Sequence, residues 1–135
     1  MKRSSGILLP VSALPSPYGI GTLGRAAMDF IDFLCTAGQR WWQILPVGHT
    51  GYGDSPYQCM SAYAGNPYYI DLDLLVTDGL LTRGEIGAQP WGAEEARVDY
   101  GLLYERRYPL LAKAAARGWA RDEDKVGAFA QENPG

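Results

Sequence analysis

The sequence predicts an α/β fold in which short parallel strands alternate with helices. Three segments carry this prediction: an apolar run at Ile7–Val11, a helical pattern over Leu23–Ala37, and a second apolar run at Trp41–Leu45. Because the order is strand, helix, strand, the two strands should pair in parallel through a crossover helix, which is a βαβ unit.

The first strand, Ile7–Val11, should end in the turn residues around Pro15 and Pro17. The helix over 23–37 is predicted from apolar side chains at helical spacing. Gly38 follows the last of these positions and should end the helix in a left-handed conformation. Cys35 falls within this pattern, where it is predicted to be a small buried hydrophobe. The apolar positions are Leu23, Ala27, Phe30, Ile31, Leu34 and Ala37.

Two short helices are predicted in the middle of the chain. Leu72–Asp78 should form the first, with Asp71 as its N-cap and Gly79 at its end. Thr82 and Glu85 have the spacing of a capping box, in which each residue bonds the backbone of the other, so a second helix should begin there.

A longer helix is predicted over Asp99–Ala116, broken or kinked near Pro109 and stopped by Gly118. Residues 122–131 could form a further short helix. Residues 87–96, which precede the long helix, are predicted to be a surface connector.

Composition excludes several classes of protein. The chain has 135 residues, 47% hydrophobic and 20% charged, which suits one ordinary domain with a core. Its net charge of −3 and its lack of an arginine-rich run give no indication of nucleic-acid binding. Pro10 interrupts the only apolar run near the start, which argues against a signal peptide. No stretch is long enough to span a membrane. Cys35 and Cys59 lack metal or redox spacing, so reduced thiols in the cytoplasm are expected.

Two long connectors, 12–22 and 48–68, follow the carboxyl ends of the predicted strands. Loops longer than about 12–15 residues are uncommon unless they serve a site. Loop 48–68 contains the run Gly51-Tyr52-Gly53-Asp54-Ser55-Pro56-Tyr57-Gln58. Aromatic faces cover the apolar faces of sugar rings, and Asp, Ser and Gln side chains bond hydroxyls. The same run could be a plain turn, but its aromatic content favours a sugar site.

The first connector contains Gly19-Ile20-Gly21-Thr22-Leu23-Gly24, which matches the G-x-G-x-x-G pattern of dinucleotide-binding proteins. That pattern needs its turn directly at the end of a strand, whereas Pro15 and Pro17 intervene here. A nucleotide site is therefore disfavoured. We expect these glycines to let the backbone pass close to a neighbour or a ligand.

Candidate catalytic groups are scarce. His49 is the only histidine, and a lone histidine is a poor metal site. Glycoside chemistry needs two carboxylates, and Asp54 is the only acid in the sugar-like run. The sequence therefore predicts no catalytic residue, no metal and no cofactor in this chain.

Four blocks give the chain a resemblance to the amylomaltases, the 4-α-glucanotransferases also called disproportionating enzymes. The first is the run just described at 51–58. The match extends from about Arg3 to Leu111 and covers roughly the first quarter of a typical member. The other blocks are Ser5-Gly6-Ile7-Leu8-Leu9-Pro10-Val11-Ser12, Ser16-Pro17-Tyr18-Gly19-Ile20-Gly21-Thr22-Leu23-Gly24 and Ala64-Gly65-Asn66-Pro67-Tyr68-Tyr69-Ile70-Asp71-Leu72.

The resemblance implies that residues 1–72 are the opening β/α units of a (β/α)8 TIM barrel, with loop 48–68 facing substrate. Residues 73–135 would begin a mostly helical insertion, so the barrel is incomplete in this chain. The complete protein would transfer α-1,4-glucan segments between maltooligosaccharides by a retaining double displacement. Its catalytic carboxylates would lie beyond Gly135.

The resemblance also implies roles for particular residues. Tyr57 and Ser55 would line donor or acceptor subsites, and Asp54 and Gln58 would orient the loop or bond hydroxyls. Tyr52 would belong to an accessory glucan site, with Tyr100 as its partner. An inward-packing aromatic at the start of a helix explains Tyr100 equally well.

Two alternatives remain open from the sequence. The chain could be a non-catalytic glucan-binding fragment or module. A nucleotide-binding α/β domain is the less favoured of the two.

Overall fold

The fold is given by a computed structural model that describes residues 3–51, 53–59, 61, 63–92 and 97–133. Within those ranges, no helix combines the length and the apolar character needed to cross a membrane. The elements are β1 (Gly6–Leu8), α1 (Arg25–Thr36), β2 (Trp41–Gln43), α2 (Leu72–Thr77), α3 (Arg83–Gly87) and α4 (Tyr100–Glu132), with one-turn 3-10 helices at Val11–Ala13 and Pro67–Tyr69.

Strands β1 and β2 pair in parallel, with Gly6 opposite Trp41 and Leu8 opposite Gln43. Helix α1 connects them, so the predicted βαβ unit is confirmed. The two strands leave both outer edges of the sheet without a neighbouring strand among the described residues.

Strand β1 ends earlier than predicted. The N–H of Leu9 still donates to the Gln43 carbonyl at 3.0 Å. Pro10 has no N–H to extend the ladder, and Val11 begins a 3-10 turn instead.

Helix α1 ends as predicted. Gly38 has a φ of +69°, and the N–H of Gln39 donates back to the Leu34 carbonyl at 2.9 Å. Ala27 and Leu34 are buried beneath the sheet side of the helix. The prediction that Cys35 is buried is wrong: its side chain is exposed, because it lies about 100° around the helix from Leu34.

Both predicted caps in the middle of the chain are confirmed. The Asp71 carboxylate accepts from the N–H of Leu74 at 3.0 Å at the start of α2. At α3, the N–H of Glu85 donates to the Thr82 hydroxyl at 3.2 Å, and the N–H of Thr82 donates to the Glu85 carboxylate at 2.9 Å. These are local interactions, which explains why the sequence alone could predict them.

Helix α4 continues well past its predicted end at Gly118. The backbone leaves helical angles at Asp122 (φ −123°, ψ 24°) rather than at Pro109 or Gly118. The Leu80 side chain lies 3.7 Å from where a Cβ on Gly118 would be, and the Arg117 side chain donates to the Leu80 carbonyl at 2.9 Å. These tertiary contacts outweigh the weak helix propensity of one glycine.

The buried side of α4 organises the core. One cluster joins α2, α3 and α4, a second lies beneath the βαβ unit, and a third joins the first connector, the exit of loop 48–68 and α4. Their buried members are respectively Leu72, Leu81, Ile86, Leu110, Leu111 and Ala114; Val11, Leu14 and Ala27; and Ile20, Tyr68 and Leu103.

Arg107 lies on the same buried side of α4 and is completely inaccessible to solvent. Its guanidinium donates to the Ile70 carbonyl at 2.7 Å and to the Tyr18 carbonyl at 3.3 Å. Burial lowers the pKa of Arg107 to about 10, while the nearby Asp71 carboxylate acts in the opposite direction. Arg107 therefore ties α4 to the first connector and to the segment just after loop 48–68.

The glycines of the first connector pack against protein backbone, as expected for a close approach. A Cβ on Gly21 would lie 2.7 Å from the Leu14 nitrogen and 2.8 Å from the Leu14 oxygen. Gly19 has a φ of +78°, and a Cβ there would lie 2.6 Å from the Trp91 carbonyl oxygen. Since protein atoms occupy the space beside these glycines, the packing argues against a pyrophosphate cradle.

We expect Gly21→Ala to destabilise the protein by about 1–3 kcal/mol, because the added methyl group overlaps backbone that cannot move aside cheaply. Gly84→Ala is the matched control. A Cβ on Gly84 meets nothing within 4 Å, and alanine should stabilise α3 by up to about 1 kcal/mol. Thermal denaturation of both variants beside the parent checks this, and a Gly21→Ala melting temperature at or above the parent value would contradict it.

Candidate functional site

Loop 48–68 is held at its base by backbone pairing. Antiparallel bridges join Gly48 to Gly65 and Thr50 to Cys59. At the exit, the N–H of Asn66 donates to the Val47 carbonyl at 2.8 Å. The Asn66 side chain also caps the following 3-10 turn, so Asn66 holds the exit of the loop in place.

The tip of the loop consists of two successive turns. The N–H of Asp54 donates to the Gly51 carbonyl, and the N–H of Gln58 donates to the Ser55 carbonyl, both at 3.1 Å. Asp54 has a φ of +53°, a left-handed conformation that Asp tolerates better than most residues. Turn chemistry is therefore present at the tip, and a binding role depends on the side chains that these turns display.

The aromatic ring of Tyr57, at the tip of the loop, is exposed to solvent. The Tyr57 side chain is 73% exposed, Gln58 is exposed, and Ser55 is half-buried. The Ser55 hydroxyl accepts from the N–H of Tyr57 at 3.4 Å, which links the two residues predicted to share a subsite. Tyr52 lies outside the described residues, and a binding role for each of these side chains stays a prediction.

Tyr100 is the first residue of α4, and its ring lies 6.0 Å from that of Tyr68. Burial raises the pKa of the Tyr100 hydroxyl, and the neighbouring Tyr69 and Asp54 add to the effect. Tyr100 therefore packs inward, as one of its two interpretations predicted. Its pairing with Tyr52 stays a prediction.

Tyr100 belongs to a tyrosine cluster, which consists of Tyr68, Tyr100, Tyr104 and Tyr108. The Tyr108 ring meets Tyr68 at 5.2 Å and Tyr104 at 5.4 Å, both edge to face. The Nε2 atom of His49 lies 3.0 Å from the Tyr108 hydroxyl oxygen. Of this cluster, sequence reasoning assigned a site role only to Tyr100; the four-residue spacing along α4 was the signal for Tyr104 and Tyr108.

Asp54 interacts electrostatically with this cluster. After burial, which is the largest cause, the Asp54 carboxylate helps to raise the pKa of Tyr68, Tyr100 and Tyr108. The pKa of Tyr68 reaches about 12. Asp54 and Tyr100, two of the predicted site residues, thus lie within electrostatic range of each other.

The raised pKa of Tyr68 predicts a loss of stability in alkali. The folded protein holds this proton more tightly than the unfolded chain does, so the stabilisation is complete below pH 10 and disappears as pH rises through about 12. We expect Tyr68→Phe, which cannot ionise, to show a shallower decline in this window, by on the order of 1–3 kcal/mol. Urea denaturation at stepped pH measures the difference, and parallel curves for the two proteins would refute the assignment.

Two cavities lie away from the loop tip. The larger, of about 960 Å³, lies between the first connector and residues that include Trp91 and Arg97. The smaller, of about 470 Å³, is lined by residues that include Val47, Asn66 and Leu74, at the base of the loop. Neither of these two cavities is lined by Tyr57.

Carboxylates near the loop are engaged in structural contacts. Asp71 accepts from the Thr22 hydroxyl at 2.6 Å, and Asp73 accepts from the Tyr18 hydroxyl at 2.7 Å and pairs with Arg83. Over the ranges that the structure describes, no group of three or more His, Cys, Asp or Glu residues could hold a metal ion. Asp71 and Asp73 therefore have structural partners within this chain.

Comparison with known proteins gives consistent matches. A family model described as 4-alpha-glucanotransferase matches residues 9–134. A 4-alpha-glucanotransferase of Streptococcus pneumoniae is 50% identical over 98% of this chain and 26% of its own length. The corresponding protein of Thermus thermophilus is 53% identical over 88% of this chain and 23% of its own length.

A solved structure agrees. The amylomaltase of Streptococcus agalactiae in complex with acarbose superposes with a TM-score of 0.93 and 43% identity, covering 97% of this chain and 27% of that one. The chain thus spans about a quarter of the length of the relatives it matches, and corresponds to their N-terminal part. Because the family model covers nearly all of the sequence, the chain belongs to the 4-alpha-glucanotransferase family.

Proposed function

We propose that this chain acts as the N-terminal part of a 4-α-glucanotransferase that moves α-1,4-glucan segments between maltooligosaccharides. The match of the family model over residues 9–134 carries the proposal. In a retaining double displacement, one carboxylate forms a covalent glycosyl intermediate, and an acid/base carboxyl group activates the acceptor hydroxyl. A transferase must hold that acceptor in place of water, which requires binding groups beside the reacting centre.

The fold proposed for the complete enzyme is a (β/α)8 barrel that β1, α1 and β2 begin. In such barrels the loops after the carboxyl ends of the strands form the active face. Connectors 12–22 and 48–68 both follow strand ends in this way. Residues 1–72 would supply these units, and residues 73–135 would begin the helical insertion.

Loop 48–68 is the part of this chain that we propose contacts glucan. Tyr57 and Ser55 would line a donor or acceptor subsite, which the open position of the Tyr57 ring supports. Asp54 and Gln58 would bond sugar hydroxyls or hold the loop. Tyr52 and Tyr100 would form the accessory glucan site.

The acarbose complex of the Streptococcus agalactiae amylomaltase supports a glucan-like ligand for this family member. The catalytic carboxylates would come from the remainder of the complete enzyme. The proposal needs no cofactor. It includes a cytoplasmic location, because Cys35 and Cys59 are free thiols.

The test is disproportionation of maltotriose. The complete enzyme, meaning the polypeptide that carries this chain at its N terminus, should release glucose and build longer oligosaccharides. The isolated chain should do neither, because the described residues offer no carboxylate pair suited to the chemistry. Both are assayed at matched concentration, with glucose and chain length as readouts.

Three outcomes separate the alternatives. An active complete enzyme with an inactive chain supports the proposal. Glucose release by the isolated chain that survives purification, and that a substitution within the chain abolishes, would overturn it. Glucan binding without turnover by the complete enzyme would identify a binding module instead.

A further inference from the structure

His49 lies at the base of loop 48–68. It is the residue between the two bridged positions Gly48 and Thr50, whose partners are Gly65 and Cys59. Its own N–H donates to the Ala64 carbonyl at 3.3 Å. A contact made by the His49 side chain therefore influences both backbone segments at the base of the loop, because these segments are paired.

The partner of that side chain belongs to α4, 59 residues further along the chain. The His49 Nε2 atom and the Tyr108 hydroxyl oxygen are 3.0 Å apart, in a partly buried hydrogen bond. Tyr108 is itself held by edge-to-face contacts with Tyr68 and Tyr104. Tyr68 is buried and lies where the chain leaves the loop. Because the Tyr108 ring packs against it, the Tyr108 hydroxyl is held in a defined position.

The loop tip also interacts electrostatically with this cluster. The Asp54 carboxylate is a lesser cause, after burial, of the raised pKa of Tyr68, Tyr100 and Tyr108. The hydrogen bond between His49 and Tyr108 thus joins the base of loop 48–68 to α4. The Tyr57 side chain, at the tip, is exposed to solvent.

We propose that the His49–Tyr108 hydrogen bond is a positioning contact through which α4 sets the conformation of loop 48–68 for reaction. His49 and Tyr108 are then positioning residues that act through the loop tip, and neither touches the reacting atoms. The inference rests on the proposed function. It adds that the helical segment helps to orient the substrate loop of the barrel.

The first variant is Tyr108→Phe, which removes the hydroxyl and keeps the ring contacts with Tyr68 and Tyr104. In the complete enzyme, we expect kcat on maltotriose to fall about three- to tenfold, the range for loss of one hydrogen bond, with little change in KM. His49→Leu should give a similar loss. His49→Gln, whose amide can occupy the position of Nε2, should restore most of it.

Tyr104→Phe is the matched control, because Tyr104 has the same ring contact with Tyr108 but is 68% exposed. It should leave kcat unchanged. The double variant His49→Leu with Tyr108→Phe should be no worse than either single variant, since both remove one contact. Additive losses, an equal loss in Tyr104→Phe, or full activity in Tyr108→Phe would overturn the proposal.

A second readout does not depend on turnover. Amide hydrogen exchange of peptides within 48–68 should quicken in Tyr108→Phe but not in Tyr104→Phe, with the melting temperature of each complete enzyme within about 1–2 °C of the parent, as expected for a contact this small. Unchanged exchange in the loop would refute the positioning role even if the enzyme proved to catalyse another reaction. If the parent enzyme fails to disproportionate maltotriose while exchange in the loop still quickens in Tyr108→Phe, only the proposed function is refuted.

Discussion

Arg107→Met is expected to weaken the attachment of α4 by about 3–5 kcal/mol, which is among the largest stability effects for a single substitution. Methionine has a similar length but cannot donate, so the partly buried carbonyl groups of Ile70 and Tyr18 would each lose a charged partner. An unsatisfied buried acceptor costs about 1–3 kcal/mol. The loss of stability should be local to α4 and to the segments around Tyr18 and Ile70, because Arg107 joins these three parts of the chain.

Amide hydrogen exchange of α4 peptides over 103–114 in the complete enzyme measures this local opening free energy. Arg106→Met is the matched control: it makes the same chemical change one residue away, at an exposed position, and should stay within about 0.5 kcal/mol. Arg107→Lys should fall between the two, since lysine keeps the charge but not the planar fork. Protection in Arg107→Met equal to that in Arg106→Met would show that the guanidinium contributes no net stability.

The features predicted correctly from the sequence are those that local chemistry determines. Gly38 ends α1 because a left-handed residue is needed there, and Thr82 with Glu85 begins α3 because both groups of the capping box lie within four residues. The βαβ order likewise follows from hydrophobic periodicity. Each of these signals is complete within a short window of sequence.

The errors concern contacts between distant segments. Gly118 predicted the end of the helix, but nothing in the sequence indicated that Arg117 would donate to the Leu80 carbonyl, 37 residues earlier. That contact helps α4 to continue past Gly118. Arg107 was overlooked because an arginine within a helix is normally expected to be exposed to solvent. Its spacing from Leu103 and Leu111, four residues on either side, places it on the buried side of the helix.

For the candidate site, the sequence indicated the loop but not what supports it. The tip residues are contiguous, so their alternation of aromatic and hydroxyl-bonding groups was visible directly. The contact between His49 and Tyr108 depends on how α4 packs against the loop, and neither residue has a pattern of its own. The support of a site is a tertiary property even when its binding groups are local in sequence.

Tyr57→Ala is expected to lower kcat/KM on maltotriose by roughly a hundredfold in the complete enzyme. The ring stands open at the loop tip, where the proposed function places it against a sugar at the reacting subsites. Loss of orientation can account for about 7–11 kcal/mol of a barrier at its largest, and small misplacements cost on the order of a hundredfold. The loss should appear in kcat as well as KM, since a misplaced acceptor competes poorly with water.

Two comparison variants make the result specific to the reacting subsites. Tyr63→Ala removes a ring from the same loop that is 98% exposed, and it should change kcat/KM little. Tyr52→Ala should mainly weaken the binding of long glucans, by about 1 kcal/mol for one aromatic contact, and should hardly affect a trisaccharide. If Tyr52→Ala loses as much activity on maltotriose as Tyr57→Ala, with melts showing both folded, the two tyrosines have been assigned to the wrong sites. An equal loss in Tyr63→Ala would instead mean that the loop contributes through its overall shape, because that ring shares the exposure of Tyr57 but not its proposed contact with sugar.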